Sequence, residues 1–282
     1  MQGASKTALM VCAYRARCSR WERPLFVDRW AEQLAGDDGM QYAAGFDKHW
    51  PAMEEWMALR VAFLDRLVAI TTDRLGVRQV VILGAGYDTR AARLPYSGVR
   101  WFEVDHPDTQ AAKRERLARL DGYPVNAATY ASCDFEREDP VDRLFAAGLS
   151  PTEATLVIWE GVVPYLTEDA VRTTATRLAG ALDKRSLVAF DSVGKKIAAG
   201  ENLNDRDRET RQFVGDLAEP VRFGSDHITP LLAECGYRWV RTVSFDDLAL
   251  QWLGDYKRDR LFRFQRMVTC SASVPDVTCP LP

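Results

Sequence analysis

The sequence of 282 residues has few histidines, no closely spaced cysteines and no long apolar run. Its six cysteines form no CxxC pair and no Cys/His cluster with metal-ligand spacing, so we expect no metal site and reduced thiols in the cytoplasm. No segment approaches the ~20 consecutive apolar residues of a membrane-spanning helix. With 37 basic and 40 acidic side chains, the chain lacks the basic surface that nucleic-acid binding requires. We therefore expect a small-molecule substrate, with neither nucleic acid nor a membrane as partner.

The rest of the composition, 47% hydrophobic and 27% charged, is that of a globular protein. From about position 80 onward, short β-branched runs alternate with helical stretches, which is typical of βαβ units around a parallel sheet. The run ATLVIW is apolar throughout, as expected of a strand covered on both faces. We predict an α/β fold with a doubly wound, Rossmann-like sheet of seven strands, at 79–83, 99–104, 126–131, 154–159, 186–190, 237–244 and 261–271. Helices are expected at 108–120, 140–147, 167–182 and 226–235.

Two segments depart from this alternation. Residues 1–78 are rich in tryptophan and methionine and are predicted to form a helical cap, or substrate lid, over a core at 79–282. The stretch at about 193–223 contains GENLNDRDRETRQ and is interpreted as an insertion, either a lid or a solvated surface helix, since charge runs are usually exposed.

A glycine turn follows the first predicted strand. The apolar run VVIL ends in Gly84-Ala85-Gly86, a turn that lets the backbone pass close to a nucleotide. The third glycine of the dinucleotide fingerprint is missing, since Thr89 follows instead, so a tight strand-to-helix turn without a ligand stays an alternative. Asp105 lies 19 positions beyond Gly86, at the end of the second strand, where a carboxylate can accept both ribose hydroxyls of a nucleoside.

Further candidates follow the next two strands. Asp134 and Phe135 come after the third strand, where a carboxylate and a backbone amide can meet an adenine ring, although a turn Asp is the simpler interpretation. Glu160 directly follows the fourth strand and is expected to face the crevice at the carboxyl edge of the sheet. Tyr165 lies five positions later and can point either into the site or into a turn.

Arg60 is an unexpected charge on a predicted helix at 52–75. The apolar stripe of that helix places Arg60 on the face that should be buried. A buried guanidinium needs an anion. That anion is either a protein carboxylate, such as Asp65, or the carboxylate of an amino-acid-like cofactor, which suits the planar fork of arginine.

With these residues in view, the sequence resembles the S-adenosylmethionine-dependent leucine carboxyl methyltransferases, including a bacterial branch found in polyketide pathways. The resemblance covers most of the chain and rests on RVAFLD, LGAGYDTR, FEVDHPDTQAAKRERL, CDFE, WEGVVPYLTEDAV and FDSVG in that order. It implies a class I methyltransferase fold and S-adenosyl-L-methionine as cofactor, with S-adenosyl-L-homocysteine as product. By the same resemblance Arg60 holds the methionyl carboxylate, Asp105 the ribose and Glu160 the methionine end, while Tyr165 faces the reacting centre. The implied cofactor-binding set is Arg60, Gly84, Ala85, Gly86, Asp105, Asp134, Phe135 and Glu160.

The acceptor is expected to be a carboxylate of a small, polyketide-like natural product, which would become a methyl ester. A carboxylate is already ionised at neutral pH and needs no general base. A phenol or hydroxyl acceptor would benefit from one, and His227, after the charged segment, is the candidate. Arg15, Arg20 and Arg23 could pair with an anionic substrate, although solvated surface arginines are the simpler interpretation.

Other function classes stay open at this point. The carboxyl terminus of a peptide or protein is an alternative acceptor. A nicotinamide oxidoreductase could use the same glycine turn, but no tyrosine is followed by a lysine four positions later, so the short-chain dehydrogenase pair is missing. A non-catalytic regulator that binds a nucleotide cofactor is a more remote alternative.

Overall fold

The computed structural model describes residues 5–135, 137–201, 204–216, 220–254 and 265–275. Its strands are β1 (Gln79–Leu83), β2 (Arg100–Asp105), β3 (Thr129–Ser132), β4 (Thr155–Trp159), β5 (Leu187–Val193), β6 (Trp239–Ser244) and β7 (Gln265–Ser271). They form one sheet in the order β3-β2-β1-β4-β5-β7-β6. The strands from β3 to β5 are parallel, whereas β7 is antiparallel to both β5 and β6. The doubly wound α/β prediction is confirmed, with one antiparallel strand that the βαβ pattern does not predict.

In the described part of the chain three helices precede β1, and at least one helix lies between each pair of consecutive strands. They are α1 (Lys6–Cys18), α2 (Ala31–Asp47), α3 (Met53–Arg74), α4 (Arg90–Arg93), α5 (Pro107–Leu117), α6 (Pro140–Ala146), α7 (Glu168–Ala181), α8 (Lys195–Ala199), α9 (Asp205–Asp216), α10 (Ile228–Glu234) and α11 (Phe245–Leu253). Local sequence explains several starts: proline occupies the first turn of α5 and of α6, and the Thr167 hydroxyl accepts from Ala170 N at the start of α7. The short helices α4 and α8 and the helix α11 were not among the predicted elements.

Each face of the sheet carries its own hydrophobic cluster. Alternate residues of the strands divide between the faces, because side-chain direction repeats every two residues. In β4, Leu156 and Ile158 face α3 and the rest of the N-terminal helices, while Val157 and Trp159 face α6, α7 and α10. The sheet is therefore covered on both sides, as its apolar strands predict.

The N-terminal helices pack on the side of the sheet that carries Leu156. α1 contacts both α2 and α3, and Arg15 of α1 donates to Asp28 at 3.0 Å and to the carbonyl of Tyr87 at 2.5 Å. Arg15 is 6% exposed, so its interpretation as a solvated surface arginine is wrong, because its guanidinium joins α1 to the turn after β1. Arg20, by contrast, pairs with exposed Glu32. The division into a cap at 1–78 and a core at 79–282 stays a prediction.

The charged stretch at 193–223 contains α8 and α9. The side chains of α9 that the structure describes are mostly exposed, as in a solvated surface helix. Where the chain returns, the amides of Arg222 and Phe223 donate to the carbonyl of Pro164, at 2.8 and 3.0 Å. The end of the stretch therefore contacts the turn that carries Tyr165. The first four residues of the strand predicted at 261–271 lie outside the described residues.

The described part of the chain offers neither a membrane-spanning helix nor a metal-binding group of side chains. No helix there is long and apolar enough to cross a membrane. No group of three or more histidine, cysteine or acidic side chains could hold a metal ion within those residues. The five cysteines that the structure describes are free and buried.

Candidate active site at the carboxyl edge of the sheet

The glycine turn after β1 is packed tightly on both sides. Gly84 has φ +66°, and a Cβ added there would lie well inside the van der Waals radius of Val162 Cγ2. Gly86 has φ +47°, and its added Cβ would lie 3.0 Å from Ala8 Cβ in α1. Both positions therefore need glycine for conformation and for space. The turn lies between the residues that follow β4 and the first helix of the chain.

Asp105 ties the end of β2 to this turn. Its Oδ2 accepts from Gly86 N at 2.5 Å, and its Oδ1 accepts from His106 N at 2.6 Å. Burial raises the pKa of Asp105, and these two amides act in the opposite direction. Each carboxylate oxygen keeps a second lone pair that could receive a ligand hydroxyl. Glu103, two residues earlier, is buried, and its Oε2 pairs with Lys113.

Arg60 meets two carboxylates at the ends of β4 and β5. Its Nε donates to Glu160 Oε1 at 2.8 Å, and its Nη1 donates to Asp191 Oδ2 at 3.3 Å. The other oxygen of Asp191 accepts from Gly161 N at 2.6 Å. Arg60 is 4% exposed, which confirms the predicted burial. Its protein partners are these two core carboxylates rather than Asp65.

A second buried arginine completes the group. Arg90, the first residue of α4, donates from Nε to Asp65 at 2.8 Å and from Nη1 to Glu160 Oε2 at 2.6 Å, and it also pairs with Asp88. Arg93 binds Asp65 through both terminal nitrogens. We call these seven side chains the charged cluster: Arg60, Arg90, Arg93, Asp65, Asp88, Glu160 and Asp191.

The arginines control the ionisation of the cluster. Burial alone would raise the pKa of Glu160, but the charges of Arg90 and Arg60 outweigh it and hold that pKa below its usual value. Burial likewise disfavours the charged form of Asp88, yet Arg90 and other cations lower its pKa to about 2. At Asp191 burial prevails over Arg60 and the pKa is raised. Glu160 and Asp88 are therefore fixed anions at neutral pH.

Of the remaining predicted site residues, three follow β3 or β4, and one precedes a helix. Asp134 and Phe135 directly follow β3, and the Asp134 amide donates to Glu138 Oε2 at 3.0 Å. Tyr165 ends a short 3-10 turn (Val163–Tyr165) and contributes to the electrostatic environment of Arg60. His227 is exposed and directly precedes α10. The described contacts thus bring Arg60, Glu160 and the surroundings of Tyr165 together, but they do not join His227 to the charged cluster.

Sequence reasoning missed four members of the charged cluster: Asp88, Arg90, Arg93 and Asp191. Asp191 interrupts the otherwise apolar and small-residue strand β5 (LVAFDSV), which is the signal that could have identified it. Arg90 and Asp88 lie within LGAGYDTR, a motif in which only the glycine turn was assigned a role. Their roles depend on partners from α3 and from the ends of β4 and β5. These partners are far apart in the sequence, so no local pattern indicates them.

The residues present suit a nucleoside that carries an amino acid. An acidic side chain ends β2, as ribose binding requires. The buried guanidinium of Arg60 retains N–H groups, since the one hydrogen-bond partner of its Nη2 among the described residues is the Met57 sulfur at 3.4 Å. The Nη2 of Arg90 is buried and has no partner among the described residues. Donors of this kind fit a ligand carboxylate.

A seven-stranded sheet in this order, with an antiparallel β7 and an acidic residue at the end of β2, is the fold of the class I S-adenosylmethionine-dependent methyltransferases. Residues 8–179 match the family described as Leucine carboxyl methyltransferase. The chain belongs to that family, and its cofactor is S-adenosyl-L-methionine. The resemblance stated from the motifs is thereby confirmed.

Known relatives agree with this assignment, and a solved structure agrees with the fold. A provisionally named S-adenosyl-L-methionine-dependent methyltransferase of Saccharopolyspora erythraea is 32% identical over 222 residues, covering 74% of this chain and 75% of the relative. A protein of Mycobacterium avium with the same provisional name is 32% identical over 274 residues, covering 86% and 85%. The fold is similar to that of a DUF574 family protein from Streptomyces avermitilis, with a TM-score of 0.65 at 15% identity and coverage of 93% and 97%.

Proposed function

We propose that this methyltransferase transfers the methyl group to a carboxylate of a small, polyketide-like natural product and forms a methyl ester. The observation that carries the proposal concerns the side chains that could act as a general base, namely the carboxylates of the charged cluster and His227. The four carboxylates of the charged cluster all accept from arginines, and His227 is exposed and has no described contact with them. A carboxylate acceptor is compatible with this arrangement because it is already ionised at neutral pH.

The cofactor supplies, when bound, an electrophilic methyl group on a sulfonium, so that displacement by a carboxylate oxygen gives a methyl ester and S-adenosylhomocysteine. We assign Arg60 to the methionyl carboxylate, Asp105 to the ribose hydroxyls, and Asp134 and Phe135 to the adenine. Glu160, held by two guanidinium groups, would present a fixed negative charge to the methionine end. Positioning of this kind can lower the activation free energy by about 7–11 kcal/mol.

Tyr165 and the N-terminal helices are proposed to align the acceptor. Tyr165 follows Pro164, whose carbonyl is fixed by two amides from the end of the charged stretch. This contact connects the turn with a segment whose described residues are largely polar. The family's description as carboxyl methyltransferases supports the acceptor type. The small-molecule acceptor remains our own proposal.

The test uses S-adenosylmethionine labelled in the methyl group and a panel of carboxylic acids and phenols. A methyl ester releases its label as volatile methanol in mild base, whereas a methyl ether retains it. We expect base-labile label in a small molecule and unchanged turnover in His227→Ala. Base-stable label that depends on His227 would establish a hydroxyl acceptor, and base-labile label in precipitated protein would establish a protein carboxyl terminus.

A further inference from the structure

Arg90 has an unused hydrogen-bond donor inside the protein. It is 1% exposed, and its Nε and Nη1 are engaged by Asp65, Asp88 and Glu160. Its Nη2 is buried and finds no acceptor in the described part of the chain. A buried donor on a charged group is costly to leave unpaired. A ligand that offers a hydrogen-bond acceptor to Nη2 would remove this cost.

The second observation is that Arg90 and Arg60 share one carboxylate. Glu160 accepts from Arg60 Nε through Oε1 and from Arg90 Nη1 through Oε2, at 2.8 and 2.6 Å. The two guanidinium groups are therefore neighbours on either side of Glu160. Arg60 also has spare donor capacity, because the hydrogen-bond partner that its Nη2 finds in the described part of the chain is the Met57 sulfur, a weak acceptor.

The charge of the cluster indicates what kind of ligand is suitable. Its three guanidinium groups and four carboxylates leave one negative charge in excess. A free anion would therefore find arginine donors but no net attraction. S-adenosylmethionine carries a carboxylate together with an ammonium and a sulfonium, so it has one positive charge in excess and supplies the acceptor as well.

We propose that Arg90 is a second arginine that binds the methionyl carboxylate of the cofactor, alongside Arg60. Its unpaired Nη2 donates to that carboxylate, while its other nitrogens keep Glu160, Asp65 and Asp88 in place. The proposal concerns the cofactor and is independent of which acceptor is methylated. A purely structural role, in which Arg90 only holds the three carboxylates together, is the alternative that the experiment must separate.

The experiment measures binding by isothermal titration with three ligands: S-adenosylhomocysteine, its carboxamide analogue and methylthioadenosine. The amide lacks the negative charge, and methylthioadenosine lacks the whole amino-acid end. Wild-type protein is compared with Arg90→Lys. Arg93→Lys is the matched control, because Arg93 binds the same Asp65 but has no described contact with Glu160.

We expect Arg90→Lys to weaken S-adenosylhomocysteine at least about tenfold, as loss of a charged hydrogen bond implies, and to leave methylthioadenosine within about twofold. The preference for the acid over the amide should shrink in Arg90→Lys and stay unchanged in Arg93→Lys. Equal losses for S-adenosylhomocysteine and methylthioadenosine, or no loss for either, would overturn the proposal.

A second measurement needs no substitution and applies if Arg90→Lys does not fold. A crystal structure of the wild-type protein with S-adenosylhomocysteine should place Arg90 Nη2 within about 3.2 Å of a ligand carboxylate oxygen. A separation beyond about 4.5 Å, with no direct hydrogen bond, would overturn the proposal as well.

Discussion

Substitution of Gly84 tests how closely the glycine turn is packed. Gly84→Ala adds a Cβ at φ +66° that collides with Val162 Cγ2. The left-handed conformation costs a non-glycine residue about 1–2 kcal/mol, and overpacking costs about 1–3 kcal/mol. We therefore expect the free energy of unfolding to fall by about 2–5 kcal/mol, measured by urea denaturation with the slope checked for two-state behaviour.

Two further variants separate these contributions. Gly76 has φ +68° and nothing within 4 Å of an added Cβ, so Gly76→Ala should lose only the conformational part, about 1–2 kcal/mol. In a double-mutant cycle, Val162→Ala should offset part of the loss in Gly84→Ala, with a coupling energy of about 1–3 kcal/mol. Equal losses for Gly84→Ala and Gly76→Ala, together with no coupling to Val162, would refute the packing argument.

Two other predictions concern charged residues. Arg60→Ala should weaken S-adenosylmethionine far more than adenosine, which lacks the carboxylate, as measured by equilibrium titration; equal losses would contradict the assignment of Arg60. Burial raises the pKa of Glu103 to about 7 despite Lys113, whereas its pKa in the unfolded state is near 4.3. Between these two pH values Glu103 is protonated in the folded state and ionised in the unfolded state. The free energy of unfolding of the wild type, minus that of Glu103→Gln, should then fall by up to about 3 kcal/mol as pH rises from about 4.5 to 7.5. If this difference stays constant or grows with pH, the Glu103 pKa is not raised.

The sheet could be predicted because its information is local. Strands such as TLVIW contain no charged residue and are buried at every position. Predicted and observed boundaries of the first four strands agree within three residues, as do those of α5, α6, α7 and α10. α11 was not predicted, although Ser244 and Asp247 form a capping box at its start, a signal that the sequence does contain.

The site could be predicted only in part. Arg60 was identified because a charge on an apolar helical stripe contradicts the local pattern. Its partners come from β4 and β5, 100 and 131 positions away, and pairing over such distances depends on the fold. Arg15 gave no comparable signal, since its burial arises from α1 lying against Tyr87 and Asp28.

The central claim is that the cofactor lies along this edge, from the residues after β3 to Arg60. The most direct measurement is a crystal structure of the protein with S-adenosylhomocysteine. The account predicts ribose hydroxyls within about 3.2 Å of Asp105 and a carboxylate oxygen at the same distance from the Arg60 guanidinium. A ligand whose amino-acid end points away from Arg60, or whose ribose is bound by other residues, would contradict it.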